Sequence, residues 1–196
     1  TASRYLTSFA KLIRKNLDAS QNDTTSLSEE LERLELYLLL EHMRFKDRFR
    51  YAITVDPRVD TSQVRLPAMM LQPYVENSIW HGILPMERQG RVDIVVEPAG
   101  PGRVAVRIED DGIGLERSLR DKSTAEADHI SRGIEITKGR AEVLRRLHLT
   151  DIRITGPEER TGEGTQVTVE LPATPGEPIS GLDLQNGRDH TTFGRP

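Results

Sequence analysis

Ile108-Glu109-Asp110-Asp111-Gly112-Ile113-Gly114-Leu115 places a carboxylate and two glycines in D-x-G-x-G spacing directly after the alternating run Val104-Ala105-Val106-Arg107-Ile108. The alternation predicts a half-buried strand, and the glycines after it predict a tight turn in which the backbone approaches whatever lies opposite. An ionised carboxylate only accepts hydrogen bonds, so at a strand end it suits an exocyclic amine such as that of adenine and does not suit guanine, which presents a carbonyl there. Asp-Gly and Gly-x-Gly also close ordinary hairpins, so the motif alone leaves both readings open.

Two segments flanking it narrow the choice. Upstream stands Leu71-Gln72-Pro73-Tyr74-Val75-Glu76-Asn77-Ser78-Ile79-Trp80-His81-Gly82, and downstream Gly162-Glu163-Gly164-Thr165-Gln166-Val167-Thr168-Val169-Glu170-Leu171-Pro172. In this order and separation the three resemble the ATP-binding domain of the GHKL superfamily, which histidine kinases share with gyrase, Hsp90 and MutL. The first of them, preceded by Arg44-Phe45-Lys46-Asp47-Arg48-Phe49, looks like the LytS-type sensor histidine kinases. The resemblance extends over roughly residues 5 to 172.

The composition agrees with a globular domain and excludes several classes. The chain has 196 residues, 36% hydrophobic and 30% charged, enough for one domain or for one domain plus an appendage. Its longest apolar runs, such as Tyr37 to Leu40, are too short to span a bilayer. A net charge of −4 leaves no basic footprint for nucleic acid, and the absence of cysteine excludes disulfides and thiolate-bound zinc, in keeping with a reducing cytosol. Thr1-Ala2-Ser3-Arg4 runs straight into an amphipathic pattern and does not read as a signal peptide.

Hydrophobic periodicity supplies the elements. Leu6, Phe9, Ala10, Ile13 and Leu17 fall at helical spacing from about Arg4 to Asp18, and the polar stretch Gln21 to Thr25 interrupts them. Ser26 followed by Glu29 predicts a capping box for a second helix, whose stripe Leu27, Leu31, Leu34, Leu38 is widened by Leu36, Leu39, Leu40 and Met43. A helix apolar over so much of its girth requires two partners: the first helix, and either the body of the domain or another subunit. Tyr51, Ile53 and Val55 begin a period of two that ends at Pro57. Pro67 is expected to open a helix that stops at Gly82 in a left-handed cap. Strands follow at Val92 to Val96 and Arg103 to Ile108, joined as a hairpin by Pro98 to Gly102. A polar segment, Glu116 to Arg132, precedes a helix from about Ile134 to Leu147 and two strands near Asp151 to Thr155 and Thr165 to Leu171. Helices interleaved with mostly antiparallel strands indicate a two-layer α/β sandwich, and the resemblance makes it a sandwich of the GHKL (Bergerat) type with an N-terminal helical hairpin. The expected division is a helical hairpin over 1–48, the remainder of a dimerisation and phosphoacceptor region; the ATP-binding catalytic domain over 49–172; and a C-terminal tail over 173–196, rich in Pro, Gly, Asp and Thr.

The resemblance assigns roles residue by residue. It places the adenine-reading carboxylate at Asp110, with Gly112 and Gly114 in the turn, and makes the hydroxyl of Thr165, beside Gly164, a support for that carboxylate. Asn77 would hold the magnesium that bridges the ATP phosphates; its amide oxygen is a hard ligand, although an asparagine within a helix also serves as a surface residue or a buried amide. Glu76 is a candidate base or acid, but adjacent helix positions diverge by about 100°, so Glu76 and Asn77 do not face a metal equally. The ATPase branch carries a water-activating Glu four residues before the Asn, where this chain has Pro73, which favours transfer to a protein over hydrolysis. Ser131-Arg132-Gly133 would end a lid over the triphosphate. There the chain has Gly133-Ile134-Glu135-Ile136 in place of the usual Gly-x-Gly-Leu, Lys138 in place of a common Asn, and Trp80 in place of a frequent Lys. Gly133 and Lys138 remain candidates for phosphate contact, as do Arg132 and Arg140.

Neither His81 nor any of His42, His129, His148 and His190 sits in the Asn-Pro-His-Phe sequence of the family's acceptor, so the acceptor is expected upstream of Thr1 and the chain alone is expected not to autophosphorylate. By resemblance the phosphoryl group of Mg-ATP passes to that histidine and then to a response regulator, within a homodimer of the full-length protein. This chain is expected to be the cytoplasmic portion of a membrane-anchored bacterial sensor, which meets the membrane only through regions absent from this sequence. The alternative, suggested by the altered phosphate loop and Trp80, is a non-enzymatic nucleotide-binding module.

Overall fold

The structure is a computed structural model that describes residues 2–114, 151–159, 164–173 and 191–193. Helix α1 (Ala2–Ser20) and helix α2 (Leu27–Phe45) form the N-terminal hairpin, with a short strand β1 (Thr24–Ser26) between them. The capping box at the start of α2 is complete: the Ser26 hydroxyl accepts from the amide of Glu29, and the Glu29 carboxylate accepts from the amide of Ser26. Part of the polar stretch expected to be plain turn is therefore regular structure, because Thr24 and Thr25, with Ser26, pair antiparallel with β3 (Arg65–Pro67).

The main sheet contains β2 (Phe49–Val55), β4 (Gly90–Pro98), β5 (Arg103–Asp110), β6 (Arg153–Glu159), β7 (Thr165–Pro172) and β8 (Thr191–Phe193), in the order β6-β7-β5-β4-β2-β8. Only β2 and β4 run parallel; every other pair is antiparallel, and β4 and β5 form the expected hairpin. Three residues from the expected tail, Thr191–Phe193, thus lie along β2 as an edge strand.

Alternation along the strands makes one face of this sheet apolar. Val92, Ile94 and Val96 on β4, Val104, Val106 and Ile108 on β5, and Val167, Val169 and Leu171 on β7 are all buried, in register as Ile94 beside Ile108 beside Val167 and Val96 beside Val106 beside Val169. The opposite face carries ion pairs, Arg107 with Glu97 and with Glu109, and Arg103 with Glu170, as a solvated face should. Helices cover the apolar face, which gives two layers.

Helix α2 supplies much of the cover: Leu27, Leu34 and Leu38 are fully buried in the core that contains the sheet residues, and α1 packs along its other side. The second partner its girth requires is therefore the body of the domain. Helix α1 behaves differently. Leu12 and Ala19 face inward, whereas Leu6, Phe9, Ile13 and Leu17, the stripe read from the sequence, are exposed.

The helix expected from Pro67 begins five residues later, as α3 (Gln72–Asn77). Pro67 ends β3, and Met69 has φ +61°, which is incompatible with a helix. Glu30 of α2 accepts the amides of Met69 and Leu71 and so holds the chain in this non-helical path. The far end also differs: α3 continues into a π-helical turn, Ser78–Ile83, in which the amide of Leu84 bonds to Ile79, five residues back. Gly82 lies inside this turn and is not among the glycines with positive φ, so it is not a left-handed cap. The segment 116–132 and the helix 134–147 lie outside the described residues.

Candidate functional site

Asp110 continues the buried row of β5. It stands two residues after Ile108, on the same face, opposite Val92, and is 1% exposed. A carboxylate in that position requires donors, and three are supplied: Oδ1 accepts from the amides of Gly112 (2.9 Å) and Thr165 (3.2 Å), and Oδ2 takes a short bond from the Thr165 hydroxyl. No cation pairs with Asp110 among the described residues. Each oxygen carries two lone pairs, so the Oδ2 side keeps acceptor capacity after Thr165 is satisfied.

Three glycines make the enclosure possible. A Cβ on Gly112 would lie 2.5 Å from the backbone of Gly82, and one on Gly82 would lie 3.0 Å from Asp110 Oδ1. Gly164, at φ +92°, passes so near β5 that a Cβ there would meet the Asp110 carbonyl oxygen at 2.0 Å. The Ile113 amide bonds to the Gly82 carbonyl at 2.9 Å, fastening the turn after β5 to the π-helical turn. Gly82 is the member of this group that the sequence reading missed, having treated it as a helix stop. The signal lay in its pairing with Gly112, which only the fold brings into contact. Gly114 has φ +80° and ends the described part of the loop.

Asp111, next along the chain, plays another part. Its carboxylate pairs with Arg88 at 2.8 Å and accepts the Arg91 amide at 2.7 Å, so it fixes the turn to the start of β4. Of the two adjacent aspartates, only Asp110 faces the core.

Asn77 ends α3, half-buried, five residues before Gly82. Glu76 accepts from Gln72 at 2.8 Å and leans towards α2: burial first, then the charges of Glu76 and Glu41, push the Tyr37 phenol up, and Glu76 adds to the burial that pushes the Glu41 carboxyl up. Glu76 and Asn77 thus serve different surroundings, as their angular separation requires. Trp80 packs edge-on against Phe45, and the Arg44 guanidinium lies over its ring at 5.1 Å. Among the described residues, no three His, Cys, Asp or Glu side chains converge as a metal cage. A magnesium ion carried mostly by phosphate oxygens and water, with one amide oxygen from the protein, does not need such a cage, and Asn77 fits that requirement. The structure therefore gathers Asp110, Gly112, Gly164 and Thr165 in one place with Gly82, and sets Asn77 on the helix leading into it. Gly133 and Lys138, with Arg132 and Arg140, lie outside the described residues.

Comparison with known proteins bears on the family and the fold. Residues 1–49 match the family model described as histidine kinase, and residues 62–175, more than half of the chain, match that of the histidine kinase-, DNA gyrase B-, and HSP90-like ATPases. Sensor histidine kinase YpdA of Escherichia coli K12 is 26% identical over 180 residues, 87% of this chain and 31% of YpdA. Sensor protein LytS of Staphylococcus haemolyticus is 31% identical over 117 residues, 59% of this chain and 19% of LytS. The chain thus spans a third or less of these relatives. The histidine kinase domain of a blue-light activated histidine kinase from Erythrobacter litoralis has the same fold, with a TM-score of 0.51, 17% identity, and coverage of 87% of this chain and 74% of that one.

Proposed function

Because the chain belongs to the histidine kinase-, DNA gyrase B- and HSP90-like ATPase family, we propose that it is the ATP-binding catalytic part of a two-component sensor histidine kinase. The observation that carries the proposal is Asp110, a carboxylate at the end of an apolar row, held by two amides and a hydroxyl and free of any described cation. In this reading its remaining acceptor capacity takes the exocyclic amine of adenine, while Gly112, Gly114 and Gly164 admit the ring close to the backbone. Asn77 offers its amide oxygen to magnesium. Bound Mg-ATP supplies the phosphoryl group, and Gly133 and Lys138 are proposed to meet its phosphates. Glu76, turned towards α2, is the candidate base or acid of the transfer.

The acceptor is a histidine outside these residues, followed by the aspartate of a response regulator. The exposed stripe Leu6, Phe9, Ile13 and Leu17 supports a homodimer in the full-length protein, since a second copy of α1 would remove it from water. No helix among the described residues is long and apolar enough to cross a membrane. The use of ATP as phosphoryl donor places this part, in the same reading, in the cytoplasm beside its ATP supply.

The test is phosphoryl transfer in trans. Incubated with labelled ATP, this chain should incorporate no acid-labile phosphate, yet should label a longer form of the protein that carries the acceptor histidine and a disabled nucleotide site. Labelling of His42 or His81 in the isolated chain would misplace the acceptor. Binding of ATP without transfer, under conditions where the intact protein reacts, would favour a non-enzymatic nucleotide-binding module.

A further inference from the structure

Glu30 stands within the apolar stripe of α2, three residues after Leu27 and four before Leu34, and is 0% exposed. Arg33, one turn on, is 2% exposed and bonds to Glu30 Oε2. A buried pair of charges in a helix–sheet core is a poor source of stability, since apolar side chains of similar volume do as well or better there. The remaining bonds of Glu30 indicate another role. Its Oε2 also accepts the amide of Met69 at 3.1 Å, and its Oε1 accepts that of Leu71 at 3.0 Å.

These two amides belong to the turn that launches α3. Leu71 is the N-cap residue of α3 and has no side-chain cap, and its own carbonyl receives the amides of Tyr74 and Val75. Met69 is held at φ +61°, a conformation unfavourable for a side chain of that size, and such strain persists only where surrounding bonds fix it. Asn77 is six residues after Leu71, at the other end of the same short helix.

We propose that Glu30 is a positioning residue for Asn77: by clasping the Met69 and Leu71 amides from α2, it sets the rotation of the helix on which the metal-binding amide is carried. The inference rests on the reading of Asn77 as a magnesium ligand. Its magnitude follows from geometry. Side chains of a helix reach about 5–6 Å from the axis, so a rotation error of about 20° moves the Asn77 oxygen by about 2 Å. Magnesium requires near-ideal octahedral geometry at about 2.0–2.1 Å, and a displacement of that size removes the ligand. Because the clasp originates in α2, any shift of the helical hairpin is passed to Asn77 through two hydrogen bonds.

The readout is the magnesium increment, the ratio of ATP affinities with and without Mg²⁺, measured calorimetrically on the whole chain. A merely structural loss lowers both affinities and leaves the ratio unchanged. The variant E30M/R33M removes both charges together, which leaves no stranded ion, and takes the acceptor from both amides. It should lose about tenfold of the increment while metal-free affinity stays near wild type. Arg33→Lys, which keeps Glu30 paired with a cation, should retain the increment. If E30M/R33M does not fold, Glu30→Asp carries the test, because its carboxylate is one methylene short of the amides and should lower the same ratio. Asn77→Ala separates the two ideas. If it abolishes the increment while the Glu30 variants keep it, the positioning role is overturned and the metal site stands. If it leaves the increment intact, the metal reading fails, and the role of Glu30 with it.

Discussion

Replacing Asp110 by Asn tests the base site most directly, because the change is isosteric and the structure states what each atom must do. Oδ1 holds two amides, those of Gly112 and Thr165, so the oxygen of the substituted carboxamide must occupy that position. Its NH₂ then falls at Oδ2, where the Thr165 hydroxyl can turn from donor to acceptor. The fold keeps its bonds and loses only their charge assistance, so unfolding free energy should drop by no more than about 1–2 kcal/mol. Asp110→Ala, by contrast, would leave both amides and the hydroxyl without partners at about 1–3 kcal/mol each and would confuse binding with folding. For the ligand the consequence is larger. The atom that should accept the adenine amine becomes a donor facing a donor, and losing a charge-assisted bond costs about 1.5–3 kcal/mol, roughly ten- to a hundredfold in affinity. Calorimetric titration of both proteins with ATP and with a 6-oxo purine triphosphate is the assay. Asp110→Asn should weaken ATP selectively and narrow the preference over the 6-oxo analogue. Equal ATP affinities in the two proteins, with unchanged melting behaviour, would remove Asp110 from the base site.

Gly164→Ala combines φ +92° with a Cβ 2.0 Å from the Asp110 carbonyl, and should destabilise the chain by about 2–3 kcal/mol or more in urea denaturation while weakening ATP binding. Gly100→Ala, at φ +98° with nothing within 4 Å, is the control and should cost only about 1 kcal/mol with ATP binding unchanged; equal losses in the two would contradict the packing argument. Glu29 provides a pH test, since hydrogen bonds from the Ser26 amide and then from the Thr25 and Ser26 hydroxyls lower its carboxyl to about 2 from 4.5. A folded value below the unfolded one means stability present above about pH 4.5 and lost as pH falls towards 2. Because Glu29 is exposed, we take the capping value in place of the full shift: wild type should exceed Glu29→Gln by about 1 kcal/mol near neutrality, and the two should converge by about pH 2. A gap that does not change with pH would refute the assignment.

Much of this protein is fixed by short-range chemistry. The capping box at Ser26 and Glu29, the period of two along β4, β5 and β7, and the turn after Asp110 each depend on residues within a few positions of one another, so the layers and the place of the carboxylate are legible from one dimension. That Asp110 would be buried follows from the same alternation, since it shares parity with Val106 and Ile108. Other features depend on partners distant in the chain. Pro67 carries a helix-start signal, yet Thr24 to Ser26 claim β3, and Glu30, some forty residues upstream, claims the amides that a helix from Pro67 would have turned inward. The stripe on α1 obeys helical spacing, but periodicity gives a face without giving its direction, and the inward positions went to Leu12 and Ala19. Gly82 reads as a stop because glycine permits positive φ; its actual constraint is the absence of a Cβ against Gly112 and Asp110. The sequence by itself determined most of the elements, the two-layer class and the place of Asp110 at the end of β5, because propensity and periodicity act locally. Only the tertiary structure decided where α3 begins, what Glu30 holds and which glycines touch, because a backbone amide takes whichever acceptor the folded chain brings to it.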